Sequence, residues 1–540
     1  MADLGYWQRF QTGTASRRRF LRGVSLSAAG ATALALVGCG SKGDSSSSSS
    51  GTSDGPLAAN QTLKVRYYDD PGGFDPATLF RIEVENIAFN VYSGLTTYLP
   101  ENGKIVPDLA ESWESPDPLT LNFKLAKNAK FHKGFGDVTS ADVVYSYRRI
   151  MDPATASTYR AEFNNVDSVA ALDPYTVQIK LKRPDANFLH QVANYHQGQI
   201  VSKAAIEKYG PDYKFNPIGT GPFVFESFTP SQQIVLTRNA DYFKTPATLQ
   251  KIDFRIIKDD DTAAIALANG EVDLAMRISA DSPLNRVMTD NRFTMNTVSG
   301  YAVVLTIFNL ENQYLKDERV RWAYGSAIDR DAVNKTTNPL TAKTWHNLVP
   351  DWMDVYTADV TKYPFDAAKA KQLLTAAGFP NGFTLKQPTI AVNESTQLTQ
   401  AYLDKVGIKS DFVIMDTPTY NGVRTRGEFD VSGRLTPAIN PDTIFFSYLH
   451  PDNIAPKGLN GARYNNPKVT QILEAGRAEP DFEKRKGLYA QVQKQAMTDL
   501  AYFPTSSSIV FWPGYKWVTG VKINPLAQVG FYDVKVLAHS

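Results

Sequence analysis

Residues 87–114 read IAFNVYSGLTTYLPENGKIVPDLAESWE, and residues 120–151 read TLNFKLAKNAKFHKGFGDVTSADVVYSYRRIM. In the second stretch Leu121, Phe123 and Leu125 alternate with mostly polar neighbours, the period-two pattern of a strand that buries one face. The same alternation recurs outside it, in Leu63-Val65-Tyr67, Val177-Ile179-Leu181 and Ile252-Phe254-Ile256. Farther on, helical spacing takes over in Val320-Ala323-Ala327-Ile328, in Ala370-Leu373-Leu374-Ala377 ended by Gly378, and in Leu488-Tyr489-Val492-Ala496. Asp366 and Asp481 stand where N-caps belong, and Pro467 suits a first turn ahead of Val469-Ile472-Leu473. The pattern predicts a mixed α/β chain whose second half is dominated by helices.

Toward the amino terminus, Ser16-Arg17-Arg18-Arg19-Phe20-Leu21-Arg22 precedes an uncharged apolar stretch from Gly23 to Gly38. This resembles a twin-arginine export signal, with Arg22 where the usual pattern has Lys. Leu36-Val37-Gly38-Cys39 resembles the lipobox at which a lipoprotein signal is cut ahead of a lipid-modified cysteine. The apolar stretch is shorter than the ~20 residues that cross a bilayer. Residues 1–38 are therefore expected to be a removed signal peptide and Cys39 the lipid attachment site. Cys39 is the only cysteine, so an internal disulfide or a thiolate-based zinc or iron–sulfur site is impossible. Residues 39–57, with six consecutive serines at 45–50, have almost nothing apolar to bury and are expected to act as a flexible tether. The folded body is expected to be exported and held at the outer face of the cytoplasmic membrane.

At roughly 150 residues per domain, 540 residues suggest three to four domains. Hydrophobic residues make up 43% and charged residues 21%, which is ordinary globular usage. The net charge is +2. Removing residues 1–38 takes away five arginines and one aspartate and leaves 52 basic against 54 acidic residues. That balance gives no footprint for a nucleic acid, which is excluded as an expected partner.

Enzyme motifs are missing. The histidines are His132, His190, His196, His346, His450 and His539; only His190 and His196 are close, and six apart is not the spacing of a helical metal pair. They are expected to be surface residues, and no metal or cofactor is expected. No nucleophile elbow or phosphate loop occurs. Gly219-Thr220-Gly221-Pro222 reads as a turn, and Asp259-Asp260-Asp261, just ahead of Thr262-Ala263-Ala264-Ile265, as a helix cap. Asp351 and Asp354 have no spacing that argues for a hydrolytic pair. The 26 Tyr, 29 Phe and 7 Trp would suit a ligand cleft, though most must be core. Residue chemistry alone supports an exported multi-domain protein without a catalytic constellation.

In family terms, Pro107-Asp108-Leu109-Ala110-Glu111-Ser112-Trp113 and Ser140-Ala141-Asp142-Val143 resemble the characteristic segment of the family 5 extracellular solute-binding proteins. Those are the peptide, nickel and opine receptors of ABC importers. The resemblance continues in family order through Gly219–Phe223, Asn269-Gly270-Glu271-Val272-Asp273, Arg319–Ala323 with Ala327-Ile328-Asp329-Arg330, and Phe365–Ala370, and ends in the helix from Asp481 to Leu500. It implies a two-lobed α/β fold of the periplasmic-binding-protein type II kind, with an extra subdomain and a ligand cleft between lobes. Lobe I would combine residues 58–95, 200–300 and 515–540, its subdomain 96–199, and lobe II 301–514. The implied protein is a monomeric receptor without enzymatic activity. It would close on a peptide or other polar solute and serve a permease and its ATPase subunits. A sensory receptor signalling to a membrane partner is the alternative.

The residues expected to meet ligand are Phe74, Tyr301, Trp345, Arg434, Asn440 and Asp442. Peptide receptors of the family resemble one another in a stretch where a carboxylate four residues before the Pro of Asp-Pro-Asp pairs with the peptide ammonium. The equivalent stretch here is Gly433-Arg434-Leu435-Thr436-Pro437-Ala438-Ile439-Asn440-Pro441-Asp442. Aligned on Pro441 without a gap, Pro437 holds the carboxylate position and Arg434 that of a tryptophan. The expectation is that amino-terminal recognition of the usual kind is absent and that Arg434 faces an anionic or polar group. A one-residue gap would instead offer Asp430 or Asp442.

Overall fold

A computed structural model describes residues 55–78, 82–99, 103–337, 340–437 and 440–539. The signal segment, Cys39 and the serine run lie outside the described residues. All four alternating segments are strands. In Thr62–Tyr67 the residues Leu63, Val65 and Tyr67 are fully buried, but so is Arg66, because this strand pairs on both sides, in parallel with Lys251–Ile256 and with Leu274–Ala275, and is covered on both faces.

Nine strands form one mixed sheet. Its order is Val431–Pro437, Phe293–Phe308, Tyr502–Tyr515, Leu274–Ala275, Thr62–Tyr67, Lys251–Ile256, Gln233–Arg238, Phe223–Thr229, with Ala342–Thr344 pairing Tyr502–Tyr515 off this path. Two of these strands run 16 and 14 residues, well beyond the usual five or six. Their length comes from serving two cores. Phe293, Phe511, Trp512 and Tyr515 pack in one hydrophobic core with the first part of the chain, whereas Val303, Leu305, Ile307 and Phe503 pack in a second with the helices of residues 318–500. Between them the antiparallel register shifts at Ser299/Val303 and again at Val304/Leu305. Gly300 sits at that break with φ +78°, where a side chain would be strained, and its carbonyl accepts the Trp352 indole N–H at 2.9 Å.

The quoted stretch builds a separate antiparallel sheet, ordered Ala110–Asp117, Thr120–Leu125, Thr176–Leu181, Val166–Asp173. The helix Ser140–Met151 begins with Asp142 accepting from the Thr139 amide and hydroxyl at 2.9 Å. In the second half Asp366 caps Ala367–Ala376, Asn466 caps Pro467–Ala478 and Asp481 caps Phe482–Asp499.

The acidic triplet divides its work. Asp259 caps Asp260–Ala268 by accepting from the Thr262 amide at 2.8 Å, while Asp260 turns inward to pair with Arg66 at 2.9 Å. Gly219 and Gly221 press against the end of the helix Ile82–Val91; a Cβ on either would lie 2.1 or 2.6 Å from a backbone oxygen. The histidines depart from the surface expectation. His132, His196 and His450 are buried, since each finds a polar neighbour inside: His132 Nε2 meets Gly221 O at 3.0 Å, His196 Nδ1 lies 2.5 Å from Glu85, and His450 Nδ1 accepts from the Asp452 amide.

Candidate functional site

Along the seam between the two cores, three contact zones stand out among the described residues. At the first, Ala302 and Ala527 pack together with Val298 and Val510 across the strand break. At the second, the Trp352 ring lies against Gly103 and Pro525; a Cβ on Gly103 would come 3.3 Å from Cζ3 and 3.5 Å from Pro525 Cγ.

The third zone is polar. Arg477, from the helix Pro467–Ala478, lies with Nη2 3.3 Å from Asp185 Oδ2 and Nε 2.9 Å from Asp442 Oδ2. The Tyr489 hydroxyl donates to Asp442 Oδ1 at 3.1 Å and accepts from Asn187 Nδ2 at 3.2 Å. The Ala186 amide donates to the Arg477 carbonyl at 2.9 Å. Asp185 and Asn187 precede Phe188 of the first core, and Asp442, Arg477 and Tyr489 stand on helices of the second, so this cluster ties the two bodies directly. Burial pushes the Asp185 carboxyl up to about 6, with Arg477 pulling it down and Asp442 pushing it further up. Burial works against the Arg477 charge, but Asp442 and Asp185 outweigh it and hold the guanidinium above its ordinary value. Burial likewise lowers His190 to about 4.

The six expected ligand residues are not one cluster. Asp442 belongs to the polar zone, and Asn440, two residues before it, is buried. Arg434 lies on the strand Val431–Pro437 opposite Leu305, with its guanidinium 5.2 Å from the Tyr448 ring centroid. Tyr301 is in the strand Phe293–Phe308 next to the Gly300 break; its side chain is outside the described part. Trp345 is held inside the second lobe, its indole N–H donating to Val349 O at 3.1 Å. Phe74 is fully buried against Phe225 and Phe228 in the first core. Asp430, the other carboxylate near Pro437 in sequence, accepts from Asn312 Nδ2 at 2.8 Å and the Lys386 amide at 2.7 Å.

A cavity of about 430 Å³ lies within the second lobe, walled by hydroxyl and amide side chains such as Thr306, Ser506, Asn334 and Gln400. Its single charged wall residue, Arg330, is occupied by the carbonyls of Trp345, Pro504 and Tyr363. That wall suits water or a neutral polar molecule. Among the described residues no group of three or more His, Cys, Asp or Glu could hold a metal ion, and no helix is long and apolar enough to cross a membrane.

Sequence reasoning missed Arg477, Asp185 and Trp352. Arg477 follows an apolar helical stripe like any solvent-facing cation, and nothing in Asp185-Ala186-Asn187 marks it as a contact with a helix about 290 positions away. Only the fold brings them together.

The family model of the bacterial extracellular solute-binding proteins, family 5 Middle, matches residues 104–455. The chain belongs to this family. It is 28% identical to heme-binding protein A of Haemophilus influenzae over 95% of this chain and 99% of that one. It is 31% identical to a putative ABC transporter peptide-binding protein of Brucella ovis, over 83% of this chain and 88% of that one. The structure of HbpA2 from Haemophilus parasuis superposes with a TM-score of 0.79 at 27% identity, covering 88% of this chain and 99% of that one. The fold is thus the two-lobed type II binding-protein fold, and this family 5 member is a binding protein rather than an enzyme. The names of these relatives carry heme and peptides alike, so membership leaves the ligand open.

Proposed function

We propose that the protein is the exported, lipid-anchored receptor of an ABC importer, capturing a polar, peptide-sized solute between its lobes and presenting the closed form to a permease. In this reading lobe I comprises residues 58–95, 200–300 and 515–540 with a subdomain at 96–199, and lobe II residues 301–514. The observation that carries it is the pair of long strands shared between two cores and broken at Gly300, together with the polar zone that fastens the far side of the seam. Two bodies joined in this way can hinge, and a ligand favours the closed arrangement only through better contacts there.

Arg434, Asn440 and Tyr301 are the ligand-facing residues of this reading. The carboxylates that could have received a peptide ammonium are already engaged, Asp442 by Arg477 and Tyr489 and Asp430 by Asn312 and Lys386. A buried ammonium without a counter-charge is strongly disfavoured, so recognition of a free amino terminus by a carboxylate near Pro437 is not expected.

A thermal-shift screen with di- to pentapeptides, their N-acetylated forms and other polar solutes tests the reading. A true ligand at a hundredfold its dissociation constant adds about 2.7 kcal/mol of stability, and small-angle scattering on the best binder should show a smaller radius of gyration. An unchanged radius removes the closing mechanism. Anchoring is tested separately: Cys39→Ser should release the protein from membranes, and retention of that variant refutes the lipid anchor.

A further inference from the structure

Arg424 and Arg434 stand apart from the other part-buried arginines of the protein. Arg424 lies in the last turn of the helix Thr417–Arg426 with its guanidinium 5.3 Å from the Tyr420 ring centroid. The Tyr420 hydroxyl donates to Gly433 O at 2.7 Å and so docks that helix beside the strand carrying Arg434. Burial first, and then the neighbouring Arg434, hold Arg424 below its ordinary value. Among the described residues neither has a carboxylate partner. Arg424 donates to Asn421 Oδ1 at 2.9 Å, and the Nε of both arginines is buried without a hydrogen-bond partner.

The surroundings share the deficit. Thr436 is two residues beyond Arg434 and therefore on the same face of the strand; it is fully buried, and its hydroxyl has no partner. Val303 pairs with both Thr436 and Ser507, which puts Ser507 in the same row, also fully buried and also with an unpartnered hydroxyl. Buried donors left unpaired are costly, as are like charges held together without a counter-ion. Both arginines remain half-exposed, so a solute can reach them.

We propose that Arg424 and Arg434 form an oxyanion subsite, flanked by Tyr420 and Tyr448, and that the solute this protein carries bears a carboxylate or phosphate group. The inference rests on the receptor reading above and narrows its ligand class. Two guanidinium forks offer paired donors that match the oxygens of such a group.

Calorimetry on the intact protein tests this with trialanine and its C-terminal amide, glutarate and glucose 1-phosphate. The free acid should bind at least tenfold more tightly than the amide. Arg424→Gln and Arg434→Gln should each weaken the acid tenfold or more and leave the amide unchanged, with thermal unfolding confirming that both variants fold. Preference for the phosphate ester over both carboxylates, lost in the variants, supports the subsite and assigns phosphate to it. Equal binding of acid and amide, or full affinity in both variants, overturns it. If no acidic probe binds while a neutral solute compacts the protein in scattering, the subsite falls and the receptor reading stands; acidic probes that bind through the two arginines without compaction have the opposite consequence.

Discussion

The first lobe braces its buried arginine on every side, whereas the second braces one in the same way and leaves two part-buried ones unbraced. In lobe I, Arg66 is fully buried, and its guanidinium donates to the carbonyls of Ile257, Met276, Arg277 and Lys258 and to the Asp260 carboxylate. Lobe II holds Arg330 in a similar carbonyl cage, yet leaves Arg424 and Arg434 with buried Nε atoms and no carboxylate among the described residues. A guanidinium with every donor satisfied acts as a brace. One with donors to spare has capacity for something outside the chain. The contrast separates structural cations from receptor cations without reference to any ligand.

The sharpest way to break this comparison is at the brace. Arg66→Met should strand Asp260 beside buried carbonyls and destabilise the protein by roughly 3–5 kcal/mol, the usual cost of removing one partner of a buried pair. Thermal unfolding checks it, and an unchanged midpoint would mean that the cage holds without its cation. Next in size is Arg477→Met, which leaves Asp442 and Asp185 with no cation between them. A loss of about 3 kcal/mol is expected, together with a larger radius of gyration in the ligand-free protein, because the cluster spans the seam. A variant with unaltered radius would show that the cluster does not hold the lobes together.

A gentler effect follows from the Asp185 carboxyl, raised from the ordinary 3.8 to about 6. Between those values the folded protein binds more protons than the unfolded chain, so stability falls as pH rises through this window and levels off above it. The whole change should stay below about 3 kcal/mol, the free-energy equivalent of the gap between the two values. Asp185→Asn, a mimic of the protonated form, should flatten the curve between pH 4 and 6, and an unchanged slope in that variant would assign the titration elsewhere. The smallest expected effect is Arg434→Gln. Removing an unpaired cation from beside another should leave stability unchanged or raise it by up to about 1 kcal/mol, and a loss of several kcal/mol would make Arg434 a brace like Arg66.

Much of the fold is legible in local pattern. Leu121, Phe123 and Leu125 alternate because one face of that strand is packed and the other is not, and Asp366 and Asp481 announce helices because a cap must accept from amides within its own first turn. Arg66 is not legible: a cation between Val65 and Tyr67 looks like the wet side of a strand, and it is buried by residues 257–260 and 276–277, which close over that face. The buried histidines escape a sequence reading for the same reason, since their partners, such as Gly221 for His132 and Glu85 for His196, are distant along the chain. Of the candidate site, Arg434 and Asp442 can be named from position, but the joining of Asp442 to Arg477 and Asp185, and of Arg434 to Arg424, depends on tertiary contacts that carry no local signature.

The closing of the first lobe by both ends of the folded body has a consequence for the order of assembly. Leu57 bridges Leu537, the Ala58 amide donates to Val536 O, Gln61 Nε2 reaches Val536 O, and the Ala538 amide donates to Pro56 O. The second core draws on residues between Val303 and Phe503, whereas the first reaches Val536, so its outer seam closes only once residues 536–538 have left the ribosome. The same stitching holds residues 56–61 against residues 536–538, so a truncation that removes the latter would free the segment that leads into the first strand.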